Sequence, residues 1–77
     1  MPTSQELLDQ YFLEMRWRCL SLAADLDRVQ RGGDPTVQSD ERLVKLRKAI
    51  ASLLEDSPNR AERVQDIFSD HTPWDRG

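Results

Sequence analysis

Apolar residues recur along the N-terminal part of the chain at alternating spacings of four and three, the heptad period of a bundle or coiled-coil helix. This apolar seam consists of Leu8, Phe12, Met15, Cys19, Leu22, Leu26 and Val29. Thr3 followed by Glu6 fits a capping box, and no proline or glycine interrupts the pattern before Gly32 and Gly33. The pattern therefore predicts a helix over residues 4–31, about 40 Å long at 1.5 Å per residue.

A second apolar stripe predicts a helix after the turn at residues 32–35. Its members lie three, four and three residues apart, at Leu43, Leu46, Ile50 and Leu53. Ser39 or Asp40 is the expected N-cap, although the pattern leaves open whether the helix starts already at Pro35. We expect this second helix to span about 16 residues, or about 24 Å.

A third, shorter helix is predicted to begin at Ser57 and Pro58. Serine is a favoured N-cap, and proline is tolerated at the first helical position because its missing N–H costs nothing there. The apolar face of this helix comprises Ala61, Val64, Ile67 and Phe68. Residues 70–77 predict an irregular C-terminal tail.

These elements predict an all-α fold, with a long N-terminal helix, an antiparallel second helix and a short third helix in one domain over residues 1–77. The second helix is too short to cover the first, which would leave part of the apolar seam exposed. Two chains pairing through the first helix would bury the seam, so we expect a homodimeric helical bundle. The expected interface residues are Leu8, Phe12, Met15, Leu22 and Leu26. A closed monomeric three-helix bundle is the alternative.

Composition limits the class of protein. The chain has 77 residues, a formal net charge of −3 and a single cysteine. For a chain of that length we expect one small domain and not a multidomain enzyme, and no apolar run approaches the roughly 18–20 residues of a membrane-spanning helix. The first six residues lack the basic and apolar regions of a secretory signal, and one cysteine cannot form an intrachain disulfide. We therefore expect a cytoplasmic protein that makes no membrane contact.

Aromatic and basic residues on the first helix suggest contacts with another protein. Tyr11 and Arg18 fall on one face beside the seam, whereas Trp17 falls on a different face near Leu13 and Leu20. Tryptophan, tyrosine and arginine are the residue types that dominate binding hot spots. The expected partner contacts are Tyr11, Trp17, Arg18 and, in the tail, Trp74. Alternatively, Trp17 widens a core stripe and Trp74 folds back onto the bundle.

A basic row on the second helix offers a different function. Arg42, Lys45 and Lys48 are spaced by three residues and could contact phosphates, which is the alternative of a small nucleic-acid-binding regulator. The acidic balance of the whole chain disfavours nucleic acid as a partner, and such a row is usually a solvated helix face.

Residues for catalysis or metal binding are scarce. The only histidine is His71 and the only cysteine is Cys19, so a tetrahedral zinc site would need carboxylates or a second chain. Gly32 and Gly33 follow a helix rather than a strand, unlike a phosphate-binding loop. We expect no enzymatic activity, no cofactor and no metal. The sequence predicts an interaction module that associates with itself and with another protein.

Overall fold

The computed structural model describes residues 1–69, which form three α-helices, one 3₁₀ helix and no strand. The helices are α1 (Ser4–Arg31), α2 (Glu41–Ser52) and α3 (Arg60–Phe68), and the 3₁₀ helix is Pro35–Ser39. The all-α prediction is confirmed. The predicted tail at residues 70–77, including His71 and Trp74, lies outside the described residues. The chain divides into two compact units, Met1–Asp34 and Pro35–Gly77, and each is described by itself.

The first unit is α1, whose predicted ends are confirmed. Thr3 is the N-cap, and its side chain and that of Glu6 form both hydrogen bonds of a capping box. At the other end the Gly32 N–H donates to the carbonyls of Arg28 and Val29. Gly33 follows with φ 76°, a left-handed conformation that favours glycine. Local signals at both ends therefore set the 28-residue length of this helix.

No residue of α1 is buried. Leu22, Ala24 and Leu26 are half-buried, and all other residues of the helix are exposed. Cys19, a member of the apolar seam, is exposed as well. An amphipathic helix normally gains most of its stability by burying its apolar face. This helix carries the apolar face without burying it.

The second unit begins with the 3₁₀ helix and α2, which is shorter than expected. Asp40 is the N-cap and accepts a hydrogen bond from the Arg42 N–H, so α2 does not begin at Pro35. The helix ends at Ser52, where the serine hydroxyl donates to the Ala49 carbonyl at 2.7 Å. The Leu53 N–H then bonds to the Ile50 carbonyl, one residue closer than an α-helix requires.

This early end corrects the predicted apolar stripe of α2. Leu53 and Leu54 both follow the last helical residue, and both side chains are exposed. The helical period no longer applies beyond Ser52, so Leu53 does not belong to the apolar face of α2 that its spacing predicts.

The start of α3 also differs from the prediction. The helix begins at Arg60 with Asn59 as N-cap, and Asn59 makes no capping hydrogen bond through its side chain. The Ser57 hydroxyl, which was expected to cap the helix, instead donates to the Asn59 side-chain oxygen within a turn. Pro58 lies in that turn and not at the first helical position.

The second unit is held together by α2, which packs against both the 3₁₀ helix and α3. Among residues 1–69 only Leu43, Ala49 and Ser52 are buried. Polar bonds supplement this small core. The Arg60 side chain donates to the Leu53 carbonyl at 3.0 Å, and Arg63 forms an ion pair with Glu55. None of the helices within residues 1–69 combines the length and apolar character needed to span a membrane.

Candidate interaction surfaces

The apolar seam of α1 forms one continuous face on which Leu22 and Leu26 are half-buried and the other members are exposed. Successive helical residues are rotated by about 100°, so the four-and-three spacing places all seam positions within a strip about 100° wide. The largest side chain of the strip, Phe12, is 53% exposed, and Leu8, Met15 and Val29 are exposed to a similar extent. Side chains of this type are normally covered when they form so long a strip.

A second apolar strip lies on nearly the opposite side of α1. Leu13, Trp17, Leu20 and Ala24 are spaced by four, three and four residues, and we call this set the Trp17 stripe. Trp17 and Leu13 are both 69% exposed. A shallow depression of about 250 Å³ lies beside the indole and is lined by Trp17, Leu20, Ser21, Ala24, Asp25 and Arg28.

The predicted partner contacts do not share one face. Tyr11 and Arg18 are seven residues apart and lie in one row beside the seam, while Trp17 is rotated from Arg18 by about 100°. Trp74 lies outside the described residues. The helix thus separates an aromatic surface around Trp17 from a mixed aromatic and basic edge along the seam.

Two ion pairs occupy the same edge of the seam as Tyr11. Arg18 donates to the Glu14 carboxylate at 2.8 Å, and Arg28 donates to the Asp25 carboxylate at 2.8 Å. All four side chains are exposed. We call Glu14, Arg18, Asp25 and Arg28 the charged edge. Acidic and basic side chains alternate along this edge of the helix.

The basic row of α2 is partly neutralised. Arg42 and Asp40 form an ion pair at 3.0 Å, and Lys45 lies 3.5 Å from Glu41. Hydrogen bonds from the Arg42 side chain and then from its backbone N–H lower the pKa of Asp40 to about 2, which keeps this carboxylate charged. The same pairing raises the pKa of Arg42. Only Lys48 of this row makes no ion pair within residues 1–69.

Residues 1–69 show neither a cluster of metal-binding side chains nor an enclosed small-molecule pocket. Within residues 1–69 no three histidine, cysteine or acidic side chains are close enough together to hold a metal ion. A depression of about 520 Å³ runs along one side of α3 and is lined by Asn59, Glu62, Arg63, Gln65, Asp66 and Ser69. Its lining residues are all polar and all belong to α3 and its two ends, so it lacks the apolar, enclosing walls of a typical small-molecule site.

Comparison of the chain with protein families, with curated proteins and with solved structures finds no match in any of the three. Most of the large exposed apolar side chains of the described residues lie on α1.

Proposed function

We propose that the protein is a small, non-enzymatic helical interaction module that acts in the cytoplasm. In this proposal the apolar seam of α1 associates with a second copy of the chain, and the Trp17 stripe docks another protein. The product of self-association is a bundle built around two α1 helices.

The observation that supports the proposal is the absence of any buried residue along the 28 residues of α1. A helix that exposes leucine, methionine and phenylalanine at strict heptad positions loses the free energy that burial would provide. Burying a single such side chain contributes about 1.5–3 kcal/mol. A second copy of the same helix offers a matching seam of equal length.

The Trp17 stripe supports the second part of the proposal. It lies on nearly the opposite side of the helix from the seam, so pairing through the seam leaves the indole exposed. An exposed tryptophan beside a surface depression is the type of residue that anchors protein interfaces.

Light scattering coupled to size-exclusion chromatography, over a wide range of protein concentrations, tests self-association. The chain mass is 8.9 kDa, so a dimer would scatter as a particle of about 18 kDa, twice that mass. Leu22→Asp places a charge in the seam and should return the protein to the monomer mass. Leu20→Asp is the matched control, because it makes the same change two residues away on the Trp17 stripe.

The two variants distinguish the seam from the Trp17 stripe as the surface of self-association. A dimer that Leu22→Asp dissociates and Leu20→Asp does not is the expected result. A dimer dissociated only by Leu20→Asp would place self-association on the Trp17 stripe instead. A wild-type protein that stays at the monomer mass at every concentration would contradict self-association.

The docking function is tested with Trp17→Ala in affinity capture from an extract of the producing cells, with Leu54→Ala as an exposed control in the second unit. We expect a captured protein that binds the wild type and the control but not Trp17→Ala. Equal capture by all three proteins would show that Trp17 is not the contact.

A further inference from the structure

We infer that the two α1 helices of the proposed dimer run antiparallel, with Cys19 of one copy opposite Leu22 of the other and Arg18 opposite Asp25. The inference rests on the proposed self-association. It states that a second copy of the chain covers the apolar seam, and in which orientation. It follows from the charges and side-chain sizes along the seam.

Charges at the edge of the apolar seam favour the antiparallel pair. Arg18 and Asp25 both border the seam on the same side, and in the stated register they differ in height by about 3 Å along the paired helices. The twofold axis repeats the contact, which gives two arginine–aspartate pairs per dimer. Each pair would join the ion pair Glu14–Arg18 of one copy to Asp25–Arg28 of the other. Exposed ion pairs contribute more in such a network than singly.

The other arrangements lack this complementarity. In a parallel, in-register pair, Arg18 would face Ala23 and Asp25 would face Gln30, so neither charge meets its opposite. In an antiparallel pair shifted by one heptad, Arg18 would face Arg18 of the other copy and Arg16 would face Arg16. Like charges at such positions destabilise the pairing.

The sizes of the seam side chains also favour the antiparallel pair. In the stated register Phe12 lies opposite Val29 and Cys19 opposite Leu22, so each of these layers combines a larger with a smaller side chain. Met15 lies opposite Leu26. A parallel pair would instead place Phe12 against Phe12 and Cys19 against Cys19. That leaves one crowded layer and one layer with a gap, and gaps in a core lose packing energy.

Charge exchange tests the orientation. Arg18→Glu and Asp25→Arg should each weaken the wild-type dimer about tenfold, because two attractive pairs become repulsive. An equimolar mixture of the two variants should form a heterodimer about as tight as the wild type. In that heterodimer the two introduced charges meet each other as opposites, and the remaining Arg18 of one chain meets the remaining Asp25 of the other. Sedimentation analysis gives the dissociation constants, and native mass spectrometry gives the heterodimer fraction.

Matched controls carry the same charge changes away from the proposed pair. Arg16→Glu and Asp27→Arg should weaken the dimer less than the test variants, and their mixture should show no preference for a heterodimer. Circular dichroism of each variant checks that α1 stays helical. A test mixture that associates no better than its two components would overturn the antiparallel inference.

Disulfide formation gives an independent measurement. A Leu22→Cys chain that also carries Cys19→Ser, mixed with wild type under mild oxidation, should form a heterodimeric disulfide, because the two sulfurs face each other in this register. Rapid oxidation of the wild type alone to a Cys19–Cys19 dimer would instead show a parallel pair and overturn the inference. A wild-type protein that scatters as a monomer would contradict the proposed self-association as well. A wild-type dimer whose two charge variants do not form a tight heterodimer when mixed would contradict only the antiparallel orientation.

Discussion

Thr3 and Glu6 cap the start of α1 reciprocally. The Glu6 N–H donates to the Thr3 hydroxyl at 3.1 Å, and the Thr3 N–H donates to the Glu6 carboxylate at 2.9 Å. The bond from the Thr3 backbone is the larger of two causes that lower the pKa of Glu6, the bond with the Thr3 side chain being the other. Because α1 buries no residue, these capping bonds stabilise its first turn without support from a buried core.

Thr3→Ala should fray the first turn of α1. Removing an N-cap threonine costs about 1 kcal/mol of helix stability, and an otherwise exposed helix has no packing to compensate. Far-ultraviolet circular dichroism at low protein concentration should show reduced helicity, and the Glu6 amide should exchange faster. Thr3→Ser keeps the hydroxyl and is the control. Equal helicity in both variants would contradict the role of the cap.

The helix caps should make the protein sensitive to acid. Asp40 has a pKa of about 2 in the folded chain, against about 3.9 for an unperturbed aspartate. A depressed pKa contributes stability that is present above the unfolded value and is lost as the pH falls through the folded value. Glu6 acts in the same direction. We therefore expect helicity to fall between about pH 4 and pH 2.

Asp40→Asn isolates the contribution of α2 to this acid sensitivity. Asparagine is as good an N-cap as aspartate but does not titrate, so the helix should still form while its acid transition shrinks. Carboxyl carbon shifts measured by NMR should place the Asp40 midpoint near pH 2 in the wild type. A midpoint close to the unperturbed value would contradict the pairing with Arg42.

Leu43 and Leu54 provide a matched pair for the core of the second unit. Leu43 is 9% exposed, whereas Leu54 is 88% exposed and lies beyond the end of α2. Leu43→Ala should lower the free energy of unfolding by about 2 kcal/mol, the lower end for a buried leucine. Leu54→Ala should change it by less than about 0.5 kcal/mol. Urea unfolding followed by circular dichroism distinguishes these values, and equal losses would show that Leu43 is not a core residue.

Cys19 reports on the covering of the seam. As the only cysteine and an exposed one, it should react readily with a thiol reagent in dilute protein. If the seam pairs with a second copy, the reaction rate should fall as the protein concentration rises. Leu22→Asp should abolish that dependence. A rate independent of concentration in a protein that dimerises would show that the seam is not the interface.

Trp17→Ala should leave both helicity and dimer mass unchanged. The indole is 69% exposed and lies away from the seam, so its removal deletes no contact on which α1 depends. Circular dichroism and light scattering check this. A loss of helicity would show instead that Trp17 belongs to a core, the alternative that its helical spacing with Leu13 and Leu20 left open.

The sequence alone determined both ends of α1, and the two later helices only in outline. Both ends of α1 follow from bonds between neighbours, the capping box of Thr3 and Glu6 and the turn at Gly32 and Gly33, which form in the same way whatever surrounds them. The seam, the Trp17 stripe and the separate ion pairs follow from helical spacing once that helix is known.

Tertiary structure decided what spacing could not. The end of α2 depends on the Ser52 hydroxyl bonding to Ala49 and on Arg60 reaching the Leu53 carbonyl, and the second of these bonds needs α3 in place. The burial of Leu43 likewise depends on the elements that pack against α2 in the folded unit. Hydrophobic period shows which side chains share a face. Only the positions of the other elements determine whether that face is covered.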